Sequence, residues 1–505
     1  MLDAPAMRLS HGPSRLDDRH LLALVGAVVC CRAIAWFAAP IYDDAFITFR
    51  YAANLAAGRG FVYNPGAPWE PMLSLSTPGY GVLLALAGSL GIDLPIAARA
   101  IGIVSDGVSA WLIVHLLGRR RIAAMTAIAT FAAMPALLRV AAGGMEAPLL
   151  LALALASGTL APTRPAIAAA LIVAACTVRP EAVLLAVALV VTWWRRPRWL
   201  RRFAPIVALG GAAYAGVLML VNRTPMPHAV AAKAVVTGVN RPESWTGAWA
   251  LIGRSAALPH LALAPLLPLV AIGLWMTLRR ARTRPVVLFG LLMVASYLAA
   301  RPPIWSWYFY VPLAVWSIAL GAGVERVATE LQIEAVVRPS LAYVLSAAVV
   351  ATVLGAAAAH PEHVTERVYE PIRAWAESVR DRPVTILAED SGVVGYYASR
   401  ARVLDTFGLL WPGGVGSRSW TELARAYDPD YLLLITKRGN VDLMRAGDLR
   451  SRYQPIARFS ALGDSDVDPP PQQLPPSWAH DYLLYERASV PDTSTAATRR
   501  SEGLR

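Results

Sequence analysis

From Leu21 to about Ala358 this chain is a succession of apolar stretches near the roughly 20 residues that cross a bilayer as a helix, punctuated by short basic loops. Leu21 to Ala39, Ile96 to Leu117, Ile122 to Val140, Phe203 to Val221, Leu261 to Leu278 and Leu341 to Ala358 all have this form. A soluble protein of 505 residues could not bury so much apolar surface, with 56% of its residues hydrophobic and a mean hydropathy of +0.46. The expected class is therefore mainly α, a polytopic membrane protein with about 10–12 transmembrane or re-entrant helices. After His360 the pattern stops. Val384 to Ala388, Arg402 to Leu404, Tyr431 to Thr436 and Asp481 to Tyr485 are short strand-type runs, with a helical stretch near Glu370 to Arg380, so a C-terminal α/β domain is expected. The organisation reads as a tail over 1–20, a membrane core over 21–358 with a first outer loop at 40–75, the α/β domain over 359–487 and a disordered tail over 488–505, with Asp466 to Pro476 as a Pro-rich connector.

The net charge of +13 lies between the spans, which argues against nucleic acid as its partner. Arg119 to Arg121, Arg195-Arg196 with Arg198, Arg201 and Arg202, and Arg279 to Arg284 form basic loops that the positive-inside rule assigns to the cytoplasm, together with Arg8, Arg15 and Arg19. The N-terminus is then cytoplasmic, the C-terminal domain extracytoplasmic, and no cleaved signal peptide is expected. To keep that pattern, Thr77 to Gly91 reads as a short, tilted or re-entrant helix. Ala166 to Thr177 and Glu181 to Trp194 read as a short pair meeting at Arg179-Pro180-Glu181, the alternative being one helix kinked at Pro180.

Just beyond the first span stand Asp43 and Asp44. Charge held beside an apolar span is costly and points to function, with Arg50 a nearby partner; the competing reading makes one aspartate the N-cap of a helix from Asp44 to about Ala57. That helix would bring Arg50 and Asn54 onto the face that Asp43 heads, where Arg50 either binds ligand or orients the loop. Lys233 and His228, after the span ending near Val221, can bind an anionic group, or Lys233 can snorkel at the interface. Arg301 precedes an aromatic run, Trp305 to Tyr310, of membrane-belt type. An acidic pair with several cations suits reaction on a lipid-linked anionic donor: the carboxylate takes a proton from an acceptor hydroxyl and the cations stabilise a departing phosphate. The three cysteines read as reduced and buried, and no zinc or nucleotide-loop spacing is present. No cofactor is assigned; a divalent cation stays open, although two adjacent aspartates alone make a poor cage. A transporter or flippase and a non-catalytic assembly protein are the other readings, the former without an internal repeat in its favour.

Asp43 to Tyr51, followed by Asn54-Leu55 and Gly58 to Gly66, resembles the first outer loop of bacterial membrane glycosyltransferases of the GT-C superfamily, and is most similar to the terminal arabinofuranosyltransferase-like branch. Ser76-Thr77-Pro78, Gly144 to Pro148, Thr177 to Glu181, Pro227-His228 with Ala232-Lys233, Trp307 to Tyr310, Glu389 to Tyr397 and Val403 to Asp405 extend the likeness to about Leu410. The resemblance implies a GT-C-like fold in the cytoplasmic membrane and inverting transfer from a polyprenyl-phosphate sugar, arabinofuranose or a mannosyl or other pentosyl or hexosyl unit, to a glycan, lipid or protein hydroxyl. It implicates Asp43 first and Asp44 second as catalytic base, and Arg50, Glu146, Arg179, His228, Lys233 and Arg301 in donor binding. Ala67 to Ser74 departs from the family pattern, which puts arabinose itself in question.

Overall fold

The computed structural model describes residues 16–239, 266–300, 306–334, 363–415, 419–435, 447–459 and 482–488. Arg301, the expected span Leu341 to Ala358, the Pro-rich connector and the C-terminal tail lie outside them. The chain divides into two compact units, Met1–Glu362 and His363–Arg505.

Among the described residues the first unit is helical. In chain order its helices are α1 Asp18–Ala38, α2 Asp43–Ala56, α3 Pro78–Ser89, α4 Leu94–Leu116, α5 Arg121–Ala133, α6 Pro135–Ala142, α7 Ala147–Leu160, α8 Pro165–Val178, α9 Val183–Trp193, α10 Pro197–Asn222, α11 His228–Val239, α12 Leu267–Arg279, α13 Arg284–Ala300 and α14 Tyr310–Glu330. Among the described residues, Asp18–Phe37, Leu94–Leu116, Pro197–Asn222 and Trp307–Glu330 are long and apolar enough to cross a bilayer, and five shorter apolar helices accompany them. The protein is an integral membrane protein.

Proline sets several boundaries. The stretch expected as one span, Ile122 to Val140, is broken at Pro135 into α5 and α6, which diverge by 61°. Proline has no N–H for the carbonyl four residues earlier, Phe131, and its ring crowds the preceding turn. That carbonyl is taken instead by Arg32 of α1, whose Nη2 donates to Phe131 O at 2.9 Å and Nη1 to Ala132 O at 3.0 Å. At Arg179-Pro180-Glu181 the backbone is extended at Arg179 and a 3-10 turn over Pro180–Ala182 leads into α9, giving two helices and not one kinked helix. Helix α7 was not among the expected spans.

Small residues set how closely the helices pack. α14 packs on α12 and α5. A Cβ on Gly273 would lie 1.7 Å from Ala319 O, one on Gly323 1.9 Å from Leu269 O, and one on Gly321 2.3 Å from Ala123 O. Backbone approaches of that kind admit only glycine.

The second unit carries a five-stranded sheet in the order β2-β1-β3-β5-β4, with β1 Thr385–Ala388, β2 Arg402–Asp405, β3 Tyr431–Ile435, β4 Tyr453–Phe459 and β5 Tyr482–Arg487. β1, β2 and β3 are parallel, joined through the short helices Gly392–Tyr397 and Trp420–Tyr427, as parallel neighbours require a crossover. β5 pairs antiparallel with β3 and β4. Strand β4 was not expected, because Pro455 interrupts its pattern and sits at a register shift. At the end of β2 the buried Asp405 carboxylate accepts the amides of Leu409 and Leu410 at 2.7 and 2.8 Å, and burial pushes its carboxyl up to about 6.

Candidate functional site

Asp43 and Asp44 occupy the first turn of α2, where carboxylates face the positive end of the helix dipole. The N-cap is Tyr42, with no side-chain capping bond, so the helix starts one residue earlier than expected and neither aspartate is the cap.

The opposite end of α2 organises the loop that follows. Arg50 is buried; its Nε donates to Tyr63 O at 2.6 Å, its Nη2 to Asn64 Oδ1 at 3.4 Å, and its guanidinium lies 4.6 Å from the Tyr63 ring centroid. Asn54 Nδ2 donates to Val62 O at 2.8 Å. From the other side one Glu70 carboxylate accepts the amides of Tyr63, Asn64 and Met72 at 3.1, 3.0 and 2.8 Å. Burial pushes the Glu70 carboxyl up, against those amides and the charge of Arg50, which pull it down. Arg50 and Glu70 thus grip both faces of the Tyr63-Asn64 backbone, and we assign Arg50 to loop structure instead of ligand binding.

The loop then delivers α11. Asn222 accepts the Leu73 amide at 2.8 Å and donates to the Leu73 carbonyl at 2.9 Å, and the first amides of α11, His228 and Ala229, donate to Leu73 O and Ser74 O at 3.0 and 3.2 Å. One turn further along α11, Lys233 comes within electrostatic reach of Asp44, Tyr308, Arg179 and Glu181. Burial works to discharge its ammonium, and Tyr308, Asp44 and Glu181 outweigh that and hold it charged.

A second wall comes from Gly143-Gly144-Met145-Glu146. Gly144 has φ +80°, and a Cβ on Gly143 would lie 2.4 Å from the Tyr42 ring, so this turn fits directly against the start of α2. Tyr42 N donates to Gly143 O at 3.1 Å and Tyr80 Oη to Gly144 O at 3.1 Å. Glu146, buried, accepts from Arg179 Nη1 at 2.7 Å, and burial pushes its carboxyl up while Arg179 opposes that. Arg179 also forks onto Glu181, Nη2 to Oε1 at 2.8 Å and Nε to Oε2 at 3.3 Å, and Tyr297 Oη reaches the same oxygen Oε1 at 3.3 Å. Three of the five N–H bonds of this guanidinium go to carboxylates, which fixes its orientation.

The aromatic run completes the wall. The Arg179 guanidinium lies 4.9 Å from the Tyr308 ring centroid, Tyr297 meets Tyr308 edge-on at 5.2 Å, and Trp307 meets Tyr42 edge-on at 5.2 Å. The structure therefore brings Asp44, Glu146, Arg179 and Lys233 together, with His228 at the start of the same helix as Lys233 and Asp43 beside Asp44. Glu181, Tyr297 and Tyr308 are added. Glu181 could have been found from the Arg-Pro-Glu spacing, since the proline turn folds the carboxylate back onto the guanidinium. In the sequence the run around Tyr308 has the character of a membrane belt, and Tyr297 carries no signal. Among the described residues, no three His, Cys, Asp or Glu side chains converge as a metal site.

No family model matches the chain, and no curated protein matches it. Among solved structures, it is similar to ArnT from Cupriavidus metallidurans bound to undecaprenyl phosphate, at 12% identity over 93% of this chain and 98% of that chain, with a TM-score of 0.59. The apo state of ArnT gives 12% identity over 92% and 98%, with a TM-score of 0.54. Arabinofuranosyltransferase AftD from Mycobacteria gives 17% identity over 95% of this chain and 42% of that chain, with a TM-score of 0.48. The chain has the fold of ArnT.

Proposed function

We propose that this protein is a glycosyltransferase that moves a sugar from a polyprenyl-phosphate donor to a hydroxyl of a cell-envelope glycan, lipid or protein at the outer face of the cytoplasmic membrane. The observation that carries the reading is the meeting of the Asp43-Asp44 turn with Lys233 and the Glu146–Arg179–Glu181 cluster, on a fold shared with ArnT. The undecaprenyl phosphate bound to ArnT supports a polyprenyl-phosphate donor.

In this reading Asp43 is the base, because Asp44 lies in the field of Lys233. The acceptor O–H gives its proton to the Asp43 carboxylate as the oxygen bonds to the anomeric carbon. The bond from that carbon to the phosphate oxygen breaks, and the electron pair leaves with polyprenyl phosphate, whose charge Lys233 and His228 stabilise. A single displacement inverts the anomeric centre. Arabinofuranose is the first donor to test on the sequence resemblance, with mannosyl and other pentosyl or hexosyl donors as alternatives.

Purified wild-type and Asp43→Asn proteins in detergent are given labelled polyprenyl-phosphate sugars and cell-envelope acceptors. Transfer by the wild type, reduced at least a hundredfold in a folded Asp43→Asn protein that still binds donor, is the expected result. Full activity in the variant removes Asp43 as base. If the wild type consumes none of the donors, the glycosyltransferase reading falls.

A further inference from the structure

Behind the candidate site, in the membrane core, lies a fully buried ion pair that the transfer chemistry does not use. Arg32 of α1 and Asp106 of α4 have no solvent exposure, and Arg32 Nε meets Asp106 Oδ2 at 2.5 Å. Tyr310 Oη donates into the same carboxylate, 2.6 and 2.7 Å from its two oxygens. The remaining guanidinium nitrogens reach Phe131 and Ala132, whose helix is cut by Pro135, and the guanidinium lies 5.1 Å from the Phe131 ring centroid. Such a pair is held against a large desolvation cost, and replacement by apolar groups is often no less stable, so stability alone is a poor account of it.

Both ends of this network lead into the site. Tyr310 follows directly on Ser306–Phe309, the turn that puts Trp307 on Tyr42 and Tyr308 beneath Arg179. The carbonyls held by Arg32 lie just before α6, whose end runs into Gly143-Gly144 and then Glu146. The aromatic wall and the Glu146 wall thus hang on one carboxylate–guanidinium pair.

We propose that Arg32, Asp106 and Tyr310 are positioning residues, fixing Tyr308 and Glu146 against Arg179 from within the membrane core. A network that served stability alone would leave the geometry at Arg179 unchanged once the fold is retained. Removing the Tyr310 hydroxyl releases the aromatic turn from the pair; converting Asp106 to an amide removes the charge that orients Arg32.

The test uses the full chain in nanodiscs with 3-fluorotyrosine at position 308, whose fluorine resonance reports the guanidinium over the ring. Tyr310→Phe and Asp106→Asn are compared with Ser317→Ala, which removes a buried hydroxyl of the same helix bonded only to its own Leu313 carbonyl. A shifted or doubled resonance in Tyr310→Phe, with Ser317→Ala like the wild type, is expected. An unmoved resonance in folded Tyr310→Phe overturns the proposal, and this holds even if Asp106→Asn does not fold. Binding of undecaprenyl phosphate is measured in parallel and rests on the function proposed above. There Tyr310→Phe is expected to weaken binding about tenfold, one displaced hydrogen-bonded contact, with Ser317→Ala unchanged. Equal binding by wild type and Tyr310→Phe overturns the positioning of the donor site. A wild type that binds no lipid counts against the donor assignment, and the fluorine result then decides the positioning proposal alone.

Discussion

Glu70 carries a load that its exposed neighbourhood conceals, and replacing it should melt one loop while the helices around it persist. Its Oε1 accepts the amides of Tyr63 and Asn64, and its Oε2 accepts Met72. Hydrogen bonds to a charged group contribute about 1.5–3 kcal/mol each; taking the low end for a partly exposed side chain, the loss of three such bonds in Glu70→Ala should cost the loop about 4.5 kcal/mol. That corresponds to about two-thousandfold faster hydrogen exchange at these amides. Glu70→Gln keeps an acceptor oxygen for Tyr63 and Asn64 and turns its NH₂ toward Met72, so it should cost about 1.5 kcal/mol, roughly tenfold and confined to Met72. Because Leu73 and Ser74 receive the first amides of α11, the Ala variant should also loosen His228 and Ala229. The assay is hydrogen exchange of the full chain in nanodiscs, followed by peptides over 60–75 and 226–235. Unchanged protection over 60–75 in Glu70→Ala would refute the reasoning, as would a Gln variant that behaves like Ala.

Gly143→Ala drives a methyl group into the Tyr42 ring and should cost about 1–3 kcal/mol; a lower melting temperature with reduced sugar transfer is the expected outcome, and a silent substitution would show that Tyr42 can yield. Gly323→Ala meets the Leu269 carbonyl, which cannot swing aside, and should lose about 3 kcal/mol. Gly216→Ala, with nothing within 4 Å, should leave the melting temperature unchanged or slightly higher. In the second unit the folded Asp405 carboxyl lies at about 6 against an ordinary 3.8, so the folded state favours its protonated form. Its contribution is complete below pH 3.8 and is lost as pH rises through 6, a change of about 3 kcal/mol. Protection of the Leu409 and Leu410 amides, corrected for intrinsic exchange rate, should fall over that window in the wild type and stay level in Asp405→Asn.

The architecture was readable because the bilayer imposes a length that apolar runs must meet, and because proline and glycine mark their ends: Pro78, Pro165 and Pro197 each stand at the first helical position. The candidate site was readable in part, for a related reason. Asp43-Asp44, Glu146 and Arg179 are polar residues at helix ends, and Lys233 is a lone cation in an otherwise apolar helix, so local sequence alone makes them conspicuous. What sequence could not supply was their pairing. Arg50 has the same local signal as Arg179, yet one guanidinium is spent on the carbonyl of Tyr63 and the other on two carboxylates 33 and 2 residues away. Only the path of the loop, set by Glu70, separates the two cases. Ion pairs inside the core are harder still, since Arg32 and Asp106 lie 74 residues apart, each within an apolar run that hydropathy absorbs without comment. The broken span belongs with them: Pro135 announces a kink, but a kink frees a carbonyl, and a carbonyl freed in a membrane must find a donor. The isolated arginine in α1 is that donor. A lone charge in one apolar span and a proline in another are therefore to be read together, as candidates for a single contact.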